Sequence, residues 1–158
     1  MMERWILDGH KLPWHLDRVA AWERGELIPP VTLDVSWTTR CNARCSFCAA
    51  AYQTGQRASI PTERIKMLLE DAAEIGVRGM VTMSDGESTL HPFWPESIRM
   101  GKELGMDMAA ASNGYLLQPA MADTVLPHLT YLRINFSAGE PKRYAEIMGV
   151  PEFWFERV

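Results

Sequence analysis

The stretch "VTLDVSWTTRCNARCSFC", residues 31–48, holds two patterns in succession. Val31, Leu33, Val35 and Trp37 alternate with Thr32, Asp34 and Ser36, a period of two that predicts a β-strand. That strand runs directly into a loop carrying Cys41, Cys45 and Cys48, the only cysteines of the 158-residue chain. The loop therefore concentrates every thiol of the protein at the carboxyl end of one strand.

Outward from this stretch the pattern repeats. Pro61 and Thr62 open a helix in which Ile65, Leu68, Leu69 and Ala72 keep the spacing of one buried face, and Gly76 closes it. "GMVTMS" (79–84) predicts a second strand, and a helix follows from about Pro95 to Leu104, ending at Gly105. "MDMAAAS" (106–112) predicts the third strand, "QPAMADTVL" (118–126) a short helix, and "YLRINFS" (131–137) the fourth strand. Strand and helix in alternation argue for parallel strands joined by right-handed crossovers. The strands end in the corners "TTRC", "SDGES", "SNG" and "SAGE". In parallel α/β folds such corners converge on one rim, where active sites collect. Upstream, "LPWHLDRVAAWERGE" (12–26) reads as a helix, with Pro13 in its first turn and Gly25 past its end. The expected organisation is a helical lead-in over residues 1–30 and a core from 31 to 158.

Composition narrows the class. The net charge of −4 lacks the basic footprint of a nucleic-acid binder. No apolar run reaches membrane-spanning length, and "MMERWILDGHKLPWH" lacks a secretory h-region, which predicts a cytoplasmic protein with no membrane partner. In a reducing compartment, clustered cysteines bind metal more often than they form disulfides.

Sulfur-rich sites select zinc or iron–sulfur clusters. Structural zinc takes four protein ligands, commonly in two separated pairs, and no second pair exists here. A four-iron cluster normally takes four thiolates, so three leave one iron open to an outside ligand. The competing readings are a zinc site completed by His91 or His128, or plain unligated thiols.

With its C-x3-C-x2-C spacing and Phe47 before the third cysteine, "CNARCSFC" resembles the signature of the radical S-adenosylmethionine (radical SAM) enzymes. The resemblance implies a [4Fe–4S] cluster on Cys41, Cys45 and Cys48. It implies a partial TIM-type (β/α) barrel in which the amino and carboxylate groups of SAM chelate the open iron. Reductive cleavage of SAM then yields a 5′-deoxyadenosyl radical that abstracts hydrogen from a substrate. "SDGESTLHP" (84–92) is similar to the family's Gly-Gly-Glu-Pro corner, which places Glu87 at the SAM amino group and Gly86 at a close backbone approach. Asp85 and Ser88 depart from that pattern, standing where glycine and proline are usual. "SNG" looks like the family's Thr-Asn-Gly corner and sets Ser112 and Asn113 near SAM. "RINFSAGEP" resembles the fourth-strand segment, with Ser137 toward the methionine or ribose part. The implied partners are a substrate that the sequence does not name and an electron donor such as flavodoxin or ferredoxin. A non-catalytic iron–sulfur or zinc-binding module is the alternative function.

Several residues have plain structural readings. Met67, Met80, Met83 and Met108 are expected in the core. Asp34 and Ser36, Thr82 and Ser84, and Arg133 and Asn135 are expected opposite the apolar faces of their strands, lining either a substrate lumen or a hydrogen-bonded polar layer. "PEFWFERV" (151–158) reads as the opening of the helix after strand four, with Phe153, Trp154 and Phe155 an uncovered apolar patch. Four strands against the family's six predict an N-terminal portion of a longer barrel, completed by further sequence or a second chain.

Overall fold

The computed structural model describes residues 12–52, 57–83 and 85–158, so residues 1–11, residues 53–56 and Ser84 lie outside the described residues. The chain divides at Pro30 into two units. In the first, the predicted single helix is a 3₁₀ turn, Leu12–His15, followed by α1, Leu16–Glu23, after which Gly25 takes φ +78°.

The second unit is one parallel sheet with its connecting helices. Strands β1 (Thr32–Val35), β2 (Gly79–Thr82), β3 (Asp107–Ser112) and β4 (Leu129–Ile134) lie in sequence order. All three pairings are parallel, with Leu33 beside Met80, Met80 beside Met108, and Ala110 beside Leu132. The crossovers contain α2 (Thr62–Glu74), α3 (Trp94–Glu103) and α4 (Pro119–Val125). This is the α/β arrangement of part of a TIM-type barrel, an open sheet of four strands with every carboxyl end on one rim.

One side of the sheet faces the helices. Leu33, Val35 and Trp37 from the first strand and its end meet Met80, Met108 and Ala110, and α2 covers them with Ile65, Leu69 and Ala72. The tryptophans in this layer bury their rings and still satisfy their N–H groups. Trp37 donates to Ser97 Oγ at 3.0 Å, and Trp94 donates to Thr82 Oγ1 at 2.9 Å. Thr82 therefore belongs to the helix side, not to the lumen expected for it. All four β2 residues are buried, so an inner parallel strand carries no polar alternation to read. Met67, expected in the core, is exposed on α2, whereas Met80 and Met108 are fully buried.

Beyond β4 the fold departs from the sequence expectation. The helix after β4 is α5, Pro141–Met148, closed by Gly149 in the left-handed region at φ +64°. "PEFWFERV" supplies the separate short helix α6, Trp154–Arg157. Nor is its aromatic run uncovered. Trp154 is buried and stacks on Tyr115 with ring centroids 3.7 Å apart, and Phe155 packs against Phe136 and Tyr144. Only Phe153 stays largely exposed. Together Ala43, Tyr144, Met148 and Trp154 form a second buried cluster beneath the cysteine loop.

Candidate active site

The cysteine loop leaves β1 and returns to it. Thr39 N–H donates to the Ala58 carbonyl at 2.9 Å, and Ile60 N–H donates to the Trp37 carbonyl at 2.9 Å. Thr38 pairs with Ser59 in an isolated antiparallel bridge. The loop is thus closed at its base, and its thiols are presented at the rim.

Its far side is fastened by α5, which the sequence reading did not find. Arg44 N–H donates to the Met148 carbonyl at 3.0 Å, and Ser46 N–H donates to the Ile147 carbonyl at 2.8 Å. A Cβ at Gly149 would lie 2.4 Å from the Arg44 carbonyl oxygen, so only glycine lets the helix end meet the loop. The Cys45 thiol points at Met148 Sδ, 3.7 Å away.

The corner after β2 locks onto the same loop. Gly86 has φ +77°, and a Cβ there would meet the carbonyl oxygens of Thr38 at 2.4 Å and Arg40 at 2.6 Å. Its glycine requirement is the approach of two backbone segments. Glu87 N–H donates to the Arg40 carbonyl at 2.8 Å, and the Ser36 hydroxyl reaches the Asp85 carbonyl. Ser36 is therefore spent on joining β1 to this corner, while Asp34 is exposed.

Glu87 is the centre of the arrangement. It is 4% exposed, and its carboxylate accepts four hydrogen bonds. Oε1 accepts from Thr89 N at 3.2 Å, Thr89 Oγ1 at 2.7 Å and Ser112 Oγ at 2.8 Å. Oε2 accepts from Asn113 N at 2.8 Å. Such saturation fixes a buried charge in one orientation. Asn113 in turn donates from Nδ2 to Asn42 Oδ1 at 2.7 Å, tying the β3 corner to the cysteine loop.

These parts enclose a cleft of about 520 Å³ lined by Cys41, Cys45, Phe47, Cys48, Gly86, Glu87, Ser112 and Asn113. Every candidate from the first three corners is present. Phe47 stands at the opening, 58% exposed. Ser137 is not in the lining. Its hydroxyl donates to Asn135 Oδ1 at 3.1 Å, and Asn135 lines the cleft instead, together with Arg133 and Met83. Arg133 and Asn135 thus face the cleft as their strand position predicts, and Met83 lines it rather than the core.

Burial pushes the Cys41 thiol up from its ordinary value, with the Glu87 and Cys48 charges adding to the shift and the Ala43 N–H opposing it. Burial also pushes the Cys45 thiol up, reinforced by Cys41 and Cys48. Burial pushes the Tyr144 phenol up from its ordinary value, with the Cys45 charge adding to the shift.

The donor chemistry, three thiols lining one cleft, is of the kind that zinc and iron–sulfur clusters take. No group of three or more His, Cys, Asp or Glu side chains is disposed to hold one metal ion among the described residues. A zinc ion needs its donors converged on one point, whereas a multi-iron cluster takes each thiolate at a different iron. His91, the candidate fourth zinc ligand, is buried with both ring nitrogens engaged, Nδ1 accepting from Phe93 N at 3.2 Å and Nε2 meeting the Ile60 carbonyl at 2.9 Å. His128 precedes β4 and so belongs to the opposite rim. No helix among the described residues is long and apolar enough to cross a membrane.

The chain is similar to known proteins in sequence and in fold. A family model described as the radical SAM superfamily matches residues 35–158. A protein named probable GTP 3′,8-cyclase from Thermococcus kodakarensis is 28% identical over 126 residues, covering 77% of this chain and 40% of that protein. Fe-coproporphyrin III synthase from Methanosarcina barkeri is 32% identical over 120 residues, 75% of this chain and 28% of that protein. The chain thus spans less than half the length of these curated relatives. In fold it is similar to Streptococcus suis SuiB bound to S-adenosylmethionine, with a TM-score of 0.70 at 19% identity over 99% of this chain and 36% of SuiB. It is also similar to BtrN in complex with AdoMet and 2-DOIA, with a TM-score of 0.62 at 16% identity over 84% of this chain and 56% of BtrN.

Proposed function

This chain belongs to the radical SAM superfamily, and we propose that it is the cofactor-binding portion of a radical SAM enzyme. In this reading Cys41, Cys45 and Cys48 hold a [4Fe–4S] cluster, and the Glu87 corner holds SAM beside it. The observation that carries the proposal is the shared cleft. Three thiols, a buried carboxylate fixed by four donors and the Asn113 corner line one space at the carboxyl rim of a parallel sheet.

Held by Cys41, Cys45 and Cys48, the cluster would supply the one-electron reduction by which SAM becomes a source of a hydrogen-abstracting 5′-deoxyadenosyl radical. The chain's own contribution is positioning and exclusion of water. Glu87, oriented by Thr89, Ser112 and Asn113, offers a fixed anion to the SAM ammonium group. Phe47 offers an apolar face at the opening, and Gly86 keeps the corner seated against the thiol loop. On the β4 side Asn135 faces the cleft, with Ser137 hydrogen-bonded behind it.

Relatives named for GTP and for Fe-coproporphyrin match much the same length of this chain. That supports assigning the matched stretch to the chemistry they share rather than to choice of substrate. Substrate, an electron donor such as flavodoxin or ferredoxin, and a further segment or second chain completing the barrel are partners in this proposal.

The experiment is anaerobic reconstitution with iron and sulfide, then incubation with SAM and dithionite and chromatographic detection of 5′-deoxyadenosine. Native chain should release it, and each of Cys41→Ala, Cys45→Ala and Cys48→Ala should lose both product and iron–sulfur absorbance. Absorbance retained in all three variants would sink the assignment.

A further inference from the structure

The phenol of Tyr144 has no part in the cleft lining, yet it is the one polar side-chain group left unsatisfied inside the described residues. Tyr144 is fully buried, and its hydroxyl has no hydrogen-bond partner. The ring is walled by Phe136, centroids 5.1 Å apart, and by Phe155 at 5.9 Å. Neither neighbour offers an oxygen or nitrogen. A buried hydroxyl without a partner is costly, and apolar packing alone is served as well by phenylalanine.

The position on the helix shows which residues surround Tyr144. Tyr144 lies one helical turn before Met148 on α5, so both share the helix face that carries the cysteine loop. Met148 touches the Cys45 thiol through sulfur, and its carbonyl holds Arg44. Tyr144, Met148 and Ala43 form one buried cluster against which Cys41 and Cys45 pack. A phenol is protonated at neutral pH and donates one hydrogen bond. A thiol is a weak acceptor, whereas a ligating thiolate is an anion and a good one.

We propose that the Tyr144 hydroxyl donates a hydrogen bond to the Cys45 sulfur once that sulfur is a ligand thiolate, and thereby sets the reduction potential of the bound cluster. This rests on the cluster assignment proposed above. Hydrogen bonds to the sulfurs are among the terms that set iron–sulfur potentials. The bond is stronger to the more electron-rich reduced state, so it raises the potential. Tyr144 is then a positioning and tuning residue, acting on the cofactor through its ligand.

The test is Tyr144→Phe, read two ways. In the reconstituted chain, an EPR-monitored redox titration should show the cluster about tenfold harder to reduce, a fall of about 59 mV for a one-electron couple. Urea unfolding should show opposite signs in the two forms. The metal-free variant should match or exceed the native chain, because an unsatisfied hydroxyl has been removed, and the loaded variant should be less stable. Fluorotyrosine at position 144, a stronger donor of nearly the same size, should raise the potential. An unchanged potential in both substitutions overturns the proposal, as does a stability change of equal sign and size in both forms. If the native chain takes up no cluster, the parent assignment falls and this inference with it. A native cluster with a potential indifferent to position 144 removes the inference alone.

Discussion

Replacing Glu87 with glutamine tests the site's internal wiring without any cofactor. The carboxylate receives a backbone N–H on each oxygen, Thr89 N on Oε1 and Asn113 N on Oε2. Glutamine keeps the shape but turns one oxygen into an NH₂ group. Placed toward Asn113, that NH₂ faces a backbone donor. Flipped, it faces the Thr89 N–H instead. No orientation serves both, because backbone N–H groups cannot turn into acceptors. One hydrogen bond to a charged acceptor is lost and a buried donor is stranded, for a cost of about 2–4 kcal/mol. A domain stable by about 5–15 kcal/mol survives that loss. With a urea m-value of about 2 kcal/mol/M, the unfolding midpoint of the metal-free chain should fall by about 1–2 M. Serine at position 112 gives an internal scale. Ser112→Ala deletes one donor to Glu87 and also strands the Gly114 N–H that the hydroxyl accepts at 3.0 Å, so it should cost about 2 kcal/mol. A Glu87→Gln midpoint within about 0.25 M of native, near 0.5 kcal/mol, would refute the four-donor reasoning.

Two further outcomes follow from the same geometry. Gly149→Ala forces a side chain into left-handed backbone and within 2.4 Å of the Arg44 carbonyl oxygen. It should cost about 2–4 kcal/mol and lower iron occupancy after reconstitution, checked by unfolding and metal analysis. The raised Cys41 and Cys45 thiols give a pH dependence. Their folded values lie above the unfolded ones, so their contribution is complete below about pH 8.5 and is lost as pH rises through the folded values. The metal-free chain should therefore lose stability in alkaline solution, and Cys41→Ser together with Cys45→Ser should flatten the loss. Cluster uptake needs thiolates and should release protons, seen as a pH drop in weakly buffered reconstitution.

Much of the scaffold was legible because its signals were local. Val31 to Trp37 alternate cleanly since β1 has one face on the helices and one turned away. The buried face of α2 was readable at Ile65, Leu69 and Ala72 for the same reason. The β2 strand defeated face assignment because all four of its residues are buried. The β4 strand was expected to begin two residues later and to end three residues later than it does. Its final part leaves the ladder, although Asn135 N–H still donates to the Ser112 carbonyl at 2.9 Å, so the extended pattern outlasts the strand.

The helix α5 was the costliest omission. It is short, with only Tyr144 and Met148 buried, so its periodicity is faint. Pro141 at its first turn and Gly149 just past its end were the available markers. The site was legible where residue type dictates chemistry, at the thiols and at Glu87. It was not legible where the role comes from contact across the chain. Met148 beneath Cys45 is 103 residues away in sequence, and Asn42 meets Asn113 across 71. Gly86 carried both kinds of information, its type being visible in the corner and its backbone neighbours only in the fold.

The most direct measurement is EPR of the anaerobically reconstituted, dithionite-reduced chain with and without SAM. The account predicts a [4Fe–4S]⁺ signal whose g-values shift when SAM is added, because three thiolates leave one iron for SAM to occupy beside Glu87. A cluster signal indifferent to SAM, or no cluster signal at all, would contradict it.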